Sequence, residues 1–167
     1  MKLWSWKKEN LPSISHAFRT ALAATISILL GRLVGLPEAY WAVIATVVVM
    51  QSPVGDTVPL AIERIVASAL GASIGAIEST YFGENLFVFG LAMLLLGLIS
   101  FVVRLEKVGY SYACITLTII VMIPRAETPW IAAAHRFGEV SLGILVALAI
   151  VAVWREERRL FGETTAE

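Results

Sequence analysis

The sequence predicts an all-α membrane protein in which six transmembrane helices form two inverted three-helix repeats. The first observation behind this fold class is composition, because the 167 residues are 58% hydrophobic and only 16% charged, with a mean hydropathy of +0.80. A soluble domain carries about 25% charged residues. The second observation is a series of six apolar runs, and the third is a segment of the chain that occurs twice.

The six apolar runs differ in length. Crossing the hydrocarbon core of a bilayer takes about 20 helical residues and no fewer than about 17. The first, third, fourth and sixth runs meet this length, whereas the second, followed by Pro53, and the fifth, followed by Pro124, fall short. The runs span Ala17–Leu36, Tyr40–Gln51, Leu60–Phe82, Leu86–Val103, Gly109–Ile123 and Trp130–Trp154.

The repeated segment includes a charged residue. Tyr40–Ala76 aligns without gaps with Tyr112–Leu148, at an offset of 72 residues. Apolar composition inflates such a match, but it does not explain why Arg64 and Arg136 recur at the same point of each copy. In membrane transporters, doubled units of this kind form a site between the two halves. Other identical pairs are Tyr40 with Tyr112, Thr46 with Thr118, Met50 with Met122, Ala61 with Ala133, Leu70 with Leu142 and Gly71 with Gly143.

The distribution of basic residues predicts the orientation. With six spans and a cytoplasmic N-terminus, nine basic residues lie inside and two lie outside, so the positive-inside rule places both termini in the cytoplasm. Each repeat has three spans, an odd number, so the second copy is inverted relative to the first. Were the two short runs only re-entrant, the copies would be parallel. The inner residues are Lys2, Lys7, Lys8, Arg19, Arg104, Lys107, Arg155, Arg158 and Arg159, and the outer ones are Arg32 and Arg125.

Three regions of the chain are predicted. Residues 1–15 read as an amphipathic segment at the membrane surface, anchored by Trp4 and Trp6, rather than as a cleaved signal peptide. Residues 16–155 form the transmembrane domain, with repeats at about 17–82 and 89–154. Residues 156–167 form a short cytoplasmic tail.

Arg64 and Arg136 are the strongest candidates for a functional site. An arginine costs about 2.5–3.5 kcal/mol at the centre of a membrane helix. One interpretation is that both face a water-filled path and attract an anion. The alternatives are snorkelling of each side chain to the headgroups and, for Arg136, pairing with Glu139 one turn later.

The breaks at the short runs supply further candidates. Paired Gly/Pro-interrupted segments at equivalent places in two halves point to a transport site, and helix starts near Thr57 and Thr128 would offer free N–H groups to an anion. An ordinary capped loop is the alternative. Aromatic residues near these breaks can stack on a ring-shaped substrate or form an interfacial belt. The predicted substrate-binding residues are Arg64, Arg136, Thr46, Thr118, Gln51, Ser52, Tyr40, Trp41 and Tyr112.

Other classes of function lack a signature in the sequence. Cys114 is the only cysteine, and His16 and His135 are far apart in the sequence, so no metal site is expected. His135 beside Arg136 can relay protons, or it can be structural. No nucleophile, zinc-protease, P-loop or dinucleotide motif occurs. We therefore expect neither an enzyme nor a cofactor, and no nucleic-acid partner.

One segment resembles a known family. Its features are Tyr40-Trp41, the run Thr46–Val49, a short Ser-Pro-Val-Gly break, Arg64, and Gly71 with Gly75. This combination resembles the fusaric acid resistance and aromatic acid exporter family, over roughly residues 15–155, with the plant malate channels as more distant relatives. The resemblance implies an inner-membrane exporter of aromatic or other organic acids, linked to the proton gradient.

Alternatives to that exporter are a channel-like organic anion pore and a non-transporting membrane subunit that scaffolds a partner. The chain departs from the larger members of the family that it resembles in having no soluble cytoplasmic domain and only one six-span unit. The resemblance therefore implies that two copies of this chain associate as a homodimer or a higher homo-oligomer. Lipid and a small organic anion are the other expected partners.

Overall fold

The computed structural model describes residues 14–51, 57–83, 85–124 and 126–162, excluding the side chains of Thr57 and of residues 155–162. Every regular element in these ranges is an α-helix, which confirms the predicted all-α class. Four of the helices are long and apolar enough to cross a membrane, and two are shorter. The chain is therefore a multi-pass membrane protein in contact with lipid. The helices are α1 (Ile14–Leu33), α2 (Tyr40–Met50), α3 (Thr57–Tyr81), α4 (Leu86–Val103), α5 (Lys107–Met122) and α6 (Pro129–Gly162).

The helix ends differ from the predicted runs in a few places. Helix α1 ends before Leu36 because Gly35 takes a left-handed conformation (φ 79°), which lets the Leu36 N–H bond to the Gly31 carbonyl at 2.9 Å. Helix α4 ends in the same way at Arg104 (φ 60°). Helix α6 continues beyond Trp154, the predicted end of the sixth run, to Gly162. The predicted interfacial segment lies almost wholly outside the described residues.

Helix α5 packs along α3 and helix α2 packs along α6, so each short helix contacts a long helix from the other half of the chain (α1–α3 or α4–α6). Both pairs run parallel. On α3, a methyl group at Gly71 would overlap the backbone of Ala113, and one at Gly75 would touch Ile120, so successive turns of α3 meet successive turns of α5. On α6, a methyl group at Gly143 would overlap the Ala42 carbonyl of α2. Small residues let the helix backbones approach closely, as packing within lipid requires.

Helices α3 and α6 run antiparallel at the centre of the bundle. Ala72 and Ala76 pack near Ala133, whereas Ala61, close to the start of α3, packs near Ile144, further along α6. Helix α1 lies against α2 and α6, and α4 lies against α3 and α5. The four inner helices thus surround the middle of the molecule, and the outer two present apolar side chains to lipid.

A two-arginine cavity between four helices

Arg64 and Arg136 occupy equivalent depths in the bundle. Each lies seven positions after the first residue of its helix, Thr57 for α3 and Pro129 for α6, which corresponds to about 10 Å of helical rise. Both arginines are only 5% exposed. Their guanidinium groups therefore point into the bundle and do not snorkel to its surface.

Each guanidinium stacks on an aromatic ring from the short helix of the other half. The Cζ atom of Arg64 lies 3.9 Å from the ring centroid of Tyr112. The Cζ atom of Arg136 lies 3.5 Å from the ring centroid of Trp41. A desolvated cation–π contact of this kind contributes about 2 kcal/mol. The rings therefore offset part of the free energy that it costs to bury the two charges.

Near each arginine, a carboxylate of the same long helix accepts a hydrogen bond from the start of the short helix whose ring stacks on that arginine. The side chain of Glu63 accepts the backbone N–H of Glu106, the residue before α5. The Oε1 atom of Glu139 accepts the backbone N–H of Glu38, two residues before α2, at 2.8 Å. These acceptors satisfy N–H groups that lack a partner within a helix. Each long helix therefore holds the start of a short helix by stacking and by hydrogen bonding.

The two arginines line one cavity of about 130 Å³, here called the central cavity. Of its polar lining atoms, the Ser68 hydroxyl and the Arg64 Nε have no hydrogen-bond partner among the residues that the structure describes. The rest of the lining is mostly apolar or aromatic. The central cavity is lined by Trp41, Ile44, Ala45, Val48, Arg64, Ser68, Tyr112, Ile115, Thr116, Arg136 and Val140.

Ten of these eleven residues form matched pairs between the halves. The long-helix pairs are offset by 72 residues and the short-helix pairs by 71. The predicted gapless alignment, which matches Tyr40 with Tyr112, is therefore one residue out of register for the short helices, and Trp41 takes the place opposite Tyr112. The pairs are Arg64 with Arg136, Ser68 with Val140, Trp41 with Tyr112, Ile44 with Ile115 and Ala45 with Thr116.

Helices α2 and α5 both contribute side chains to the lining of the central cavity. Within the described residues these two helices do not contact each other. Ile44 and Ile115, which are 44% and 46% exposed, flank the gap.

A second cavity of about 320 Å³, here called the vestibule, lies around the first turns of α6. It is more open to the surface than the central cavity and more strongly charged. Arg136 borders both spaces. The vestibule is lined by Pro37, Glu38, Ala126, Glu127, Ala132, His135, Arg136 and Glu139.

Comparison with known proteins agrees with the resemblance seen in the sequence. Residues 24–150 match the family described as fusaric acid resistance protein-like. The chain belongs to this family. No solved structure matches the chain.

Two curated proteins match most of the chain. The first is the inner membrane protein YeeA of Escherichia coli (strain K12), with 35% identity over 150 residues, which cover 84% of this chain and 41% of that protein. The second is the UPF0421 protein YgaE of Bacillus subtilis (strain 168), with 25% identity over 137 residues, which cover 81% of this chain and 38% of that protein. The chain thus spans well under half the length of these two relatives.

Four of the predicted site residues meet at the central cavity, namely Arg64, Arg136, Trp41 and Tyr112. The remaining described ones lie elsewhere. The Thr46 hydroxyl is buried in a helix contact, 2.5 Å from the Ser27 hydroxyl and 2.8 Å from the Gly143 carbonyl.

The other predicted residues do not line the central cavity. Thr118 donates to the Cys114 carbonyl of its own helix, and Gln51 is exposed at the end of α2. Tyr40 is half exposed and packs against Trp41, with ring centroids 5.4 Å apart. Ser52 lies outside the described residues.

Sequence reasoning missed Ser68 and Thr116, both buried in the cavity lining. Their spacing in the sequence could have indicated them, because Ser68 lies four residues after Arg64 and Thr116 lies four residues after Tyr112. Residues four apart share one helix face. Among the residues that the structure describes, no group of three His, Cys, Asp or Glu side chains is placed to hold a metal ion.

Proposed function

We propose that the protein exports aromatic or other small organic acid anions, and that Arg64 and Arg136 bind the carboxylate in the central cavity. The observation that carries this proposal is that two guanidinium groups, each 5% exposed, line a single cavity between four helices. Membership of the fusaric acid resistance protein-like family supports a transport function.

The chemistry of the lining suits a small carboxylate. Guanidinium groups present a planar fork of N–H donors that matches a carboxylate in bidentate geometry. Because Trp41 and Tyr112 stack on the guanidinium faces, the N–H edges remain as the direction from which an anion approaches. Ile44, Ile115 and Val140 supply apolar surface for the remainder of the molecule, and a cavity of roughly 150 Å³ can hold a benzene ring.

The proposal includes six spans in two inverted repeats. Its support is the set of five matched pairs around the central cavity, together with the antiparallel arrangement of α3 and α6. We place the chain in the inner membrane, by analogy with YeeA, with both termini in the cytoplasm. Transport then proceeds by rocking one repeat against the other about the arginines.

A homodimer is also part of the proposal. Ile44 and Ile115 line the central cavity and are partly exposed, and a second copy seated over them would separate the arginines from hydrocarbon. A dimer mass in native mass spectrometry of the purified protein supports this arrangement, and a monomer mass across all mild detergents contradicts it.

Carboxylate efflux from proteoliposomes tests the transport proposal. Radiolabelled benzoate is loaded into vesicles that contain the wild type, Arg64→Gln or Arg136→Gln. The exposed Arg32 at the end of α1 provides the matched control, Arg32→Gln. We expect saturable efflux in the wild type and in the control, and a loss of at least about tenfold in each cavity variant, because removing a charge-assisted hydrogen bond costs about 1.5–3 kcal/mol.

Folding is checked for each variant by its elution as a single symmetric species in detergent. If folded Arg64→Gln and Arg136→Gln both retain wild-type efflux, the arginine role is wrong. If the wild type shows no efflux of any small carboxylate, the transport proposal fails and the scaffold-subunit alternative gains support.

A further inference from the structure

The vestibule and the central cavity are separated by a single wall. Glu38 and Glu139 line the vestibule, Trp41 and Val140 line the central cavity, and Arg136 borders both. The wall therefore consists of the start of α2 and the turn of α6 that packs against it. The contacts that hold the start of α2 against α6 keep the two spaces apart.

Glu139 supplies one of these contacts from a buried position. Its side chain is 1% exposed, and it accepts the Glu38 N–H at 2.8 Å. It also lies one turn after Arg136, which attracts it electrostatically and stacks on Trp41. Hydrogen bonds to ionised groups are about twice as strong as those between neutral groups. An ionised Glu139 would therefore hold the start of α2 more firmly than a neutral one.

We propose that Glu139 is the residue through which protons act on transport: its protonation releases the start of α2 and joins the central cavity to the vestibule. This inference rests on the proposed function, in which anion export is linked to the proton gradient. A proton from vestibule water binds a carboxylate oxygen of Glu139, and the neutral acid then holds the Glu38 N–H and Arg136 more weakly. Loss of the proton to water restores the contact.

Other ionisable groups face Glu139 across the vestibule, namely Glu38, Glu127, His135 and Arg136. His135 and Glu127 pair with each other, with Nδ1 and Oε2 3.0 Å apart, and their side chains are 38% and 40% exposed. This pair links Glu127, in the connection between α5 and α6, to His135 on α6. Glu139 differs because it bonds the backbone at the start of α2, next to the ring that covers Arg136.

Cysteine accessibility in the central cavity tests this inference. Cys114 is the only native cysteine, so Ser68→Cys combined with Cys114→Ala leaves one thiol in the cavity, at a position that is 1% exposed. The purified chain in nanodiscs reacts with a small charged methanethiosulfonate reagent, with Glu139 intact or with Glu139→Gln, between about pH 8 and about pH 5. The ratio of the two rates at each pH removes the part of the thiol titration that the two proteins share.

The expected result is a ratio that depends on pH. At about pH 8, Glu139→Gln reacts roughly tenfold faster, a factor that corresponds to about 1.4 kcal/mol. Towards the acid end the two rates converge, because protonation makes the intact carboxyl neutral like the glutamine side chain. A ratio that stays constant with pH overturns the proposal, since structural loosening alone does not depend on protonation. Thr116→Cys serves as a second reporter if Ser68→Cys does not fold.

Glu127→Gln and His135→Gln in the same background are matched controls, because they remove the exposed pair of the vestibule. Both are expected to keep the pH response of the Glu139-intact protein. If the ratio of the Glu139→Gln rate to the rate of either control stays constant with pH, the assignment to Glu139 is wrong. The assay uses no transported anion, so its failure leaves anion export standing, and failure of the efflux assay leaves the accessibility result standing.

Discussion

In the central cavity, each arginine is removed from bulk water and stacks on the face of an aromatic ring. An arginine at the centre of a membrane helix costs about 2.5–3.5 kcal/mol, and a desolvated cation–π contact contributes about 2 kcal/mol. Tyr112 and Trp41 therefore offset a large part of the cost of Arg64 and Arg136. A carboxylate bound at the N–H edges would stabilise both charges further.

The Thr46 hydroxyl takes part in the contact between α1, α2 and α6, and we infer a structural role for it. Thr46→Val keeps the shape of the side chain but removes its bonds to Ser27 and to the Gly143 carbonyl. We expect a loss of about 0.6–2 kcal/mol in the free energy of unfolding, the size of interhelical hydrogen bonds in membranes, with anion efflux per folded molecule unchanged. Reversible unfolding in mixed micelles measures the first quantity.

The matched control for that substitution is Thr25→Val, because the Thr25 hydroxyl is exposed and donates within its own helix, to the Ala21 carbonyl. It should leave stability close to that of the wild type. Normal stability but lost efflux in Thr46→Val would contradict the structural role and support the prediction that Thr46 binds substrate.

At the scale of the helices, close packing depends on glycines that face a neighbouring backbone. In Gly71→Ala the new methyl group meets the backbone of Ala113 on α5, and in Gly143→Ala it meets that of Ala42 on α2. Backbone cannot rotate away as a side chain can, so each variant should lose about 1–3 kcal/mol of stability through overpacking. Thermal unfolding in nanodiscs measures the difference.

Gly90→Ala on α4 is the control for both glycine variants, since nothing lies within 4 Å of the position that its methyl group would occupy. Its stability should equal or exceed that of the wild type, because alanine favours a helix over glycine. If Gly71→Ala is as stable as Gly90→Ala, the parallel packing of α3 on α5 is not as close as described.

The helices themselves could be predicted from the sequence, because apolar runs and Pro/Gly breaks act locally. The repeat also identified Arg64 and Arg136. The repeat did not reveal that the short helices are shifted by one residue relative to the gapless alignment. Because of this shift, Trp41 rather than Tyr40 is the counterpart of Tyr112. That register depends on which face of α2 packs against α6.

The hydrogen bond between Glu139 and the start of α2 could not be predicted from the sequence either. The spacing of Glu139 suggested an ion pair with Arg136 on the same helix. Its hydrogen bond joins residues 101 positions apart, Glu38 and Glu139, so it exists only once α2 and α6 have packed together.

At the scale of the whole molecule, the inverted arrangement requires that α2 cross the membrane. Val34 lies before α2 in the chain and Gln51 lies directly after it, and both residues are exposed. As single cysteines in the Cys114→Ala background they should react with a membrane-impermeant thiol reagent from opposite sides, Val34→Cys from outside and Gln51→Cys from inside. Reaction of both from one side would show that α2 is re-entrant and that the repeats are not inverted.

The central claim is that two buried arginines share one carboxylate. Fluorine NMR of a fluorinated benzoate, titrated against the purified protein in nanodiscs, tests this directly. We predict saturable binding in the wild type and in Arg32→Gln, and no saturable binding in folded Arg64→Gln/Arg136→Gln, because the partners of the carboxylate in the central cavity are then gone. Undiminished binding in that double variant would contradict the claim.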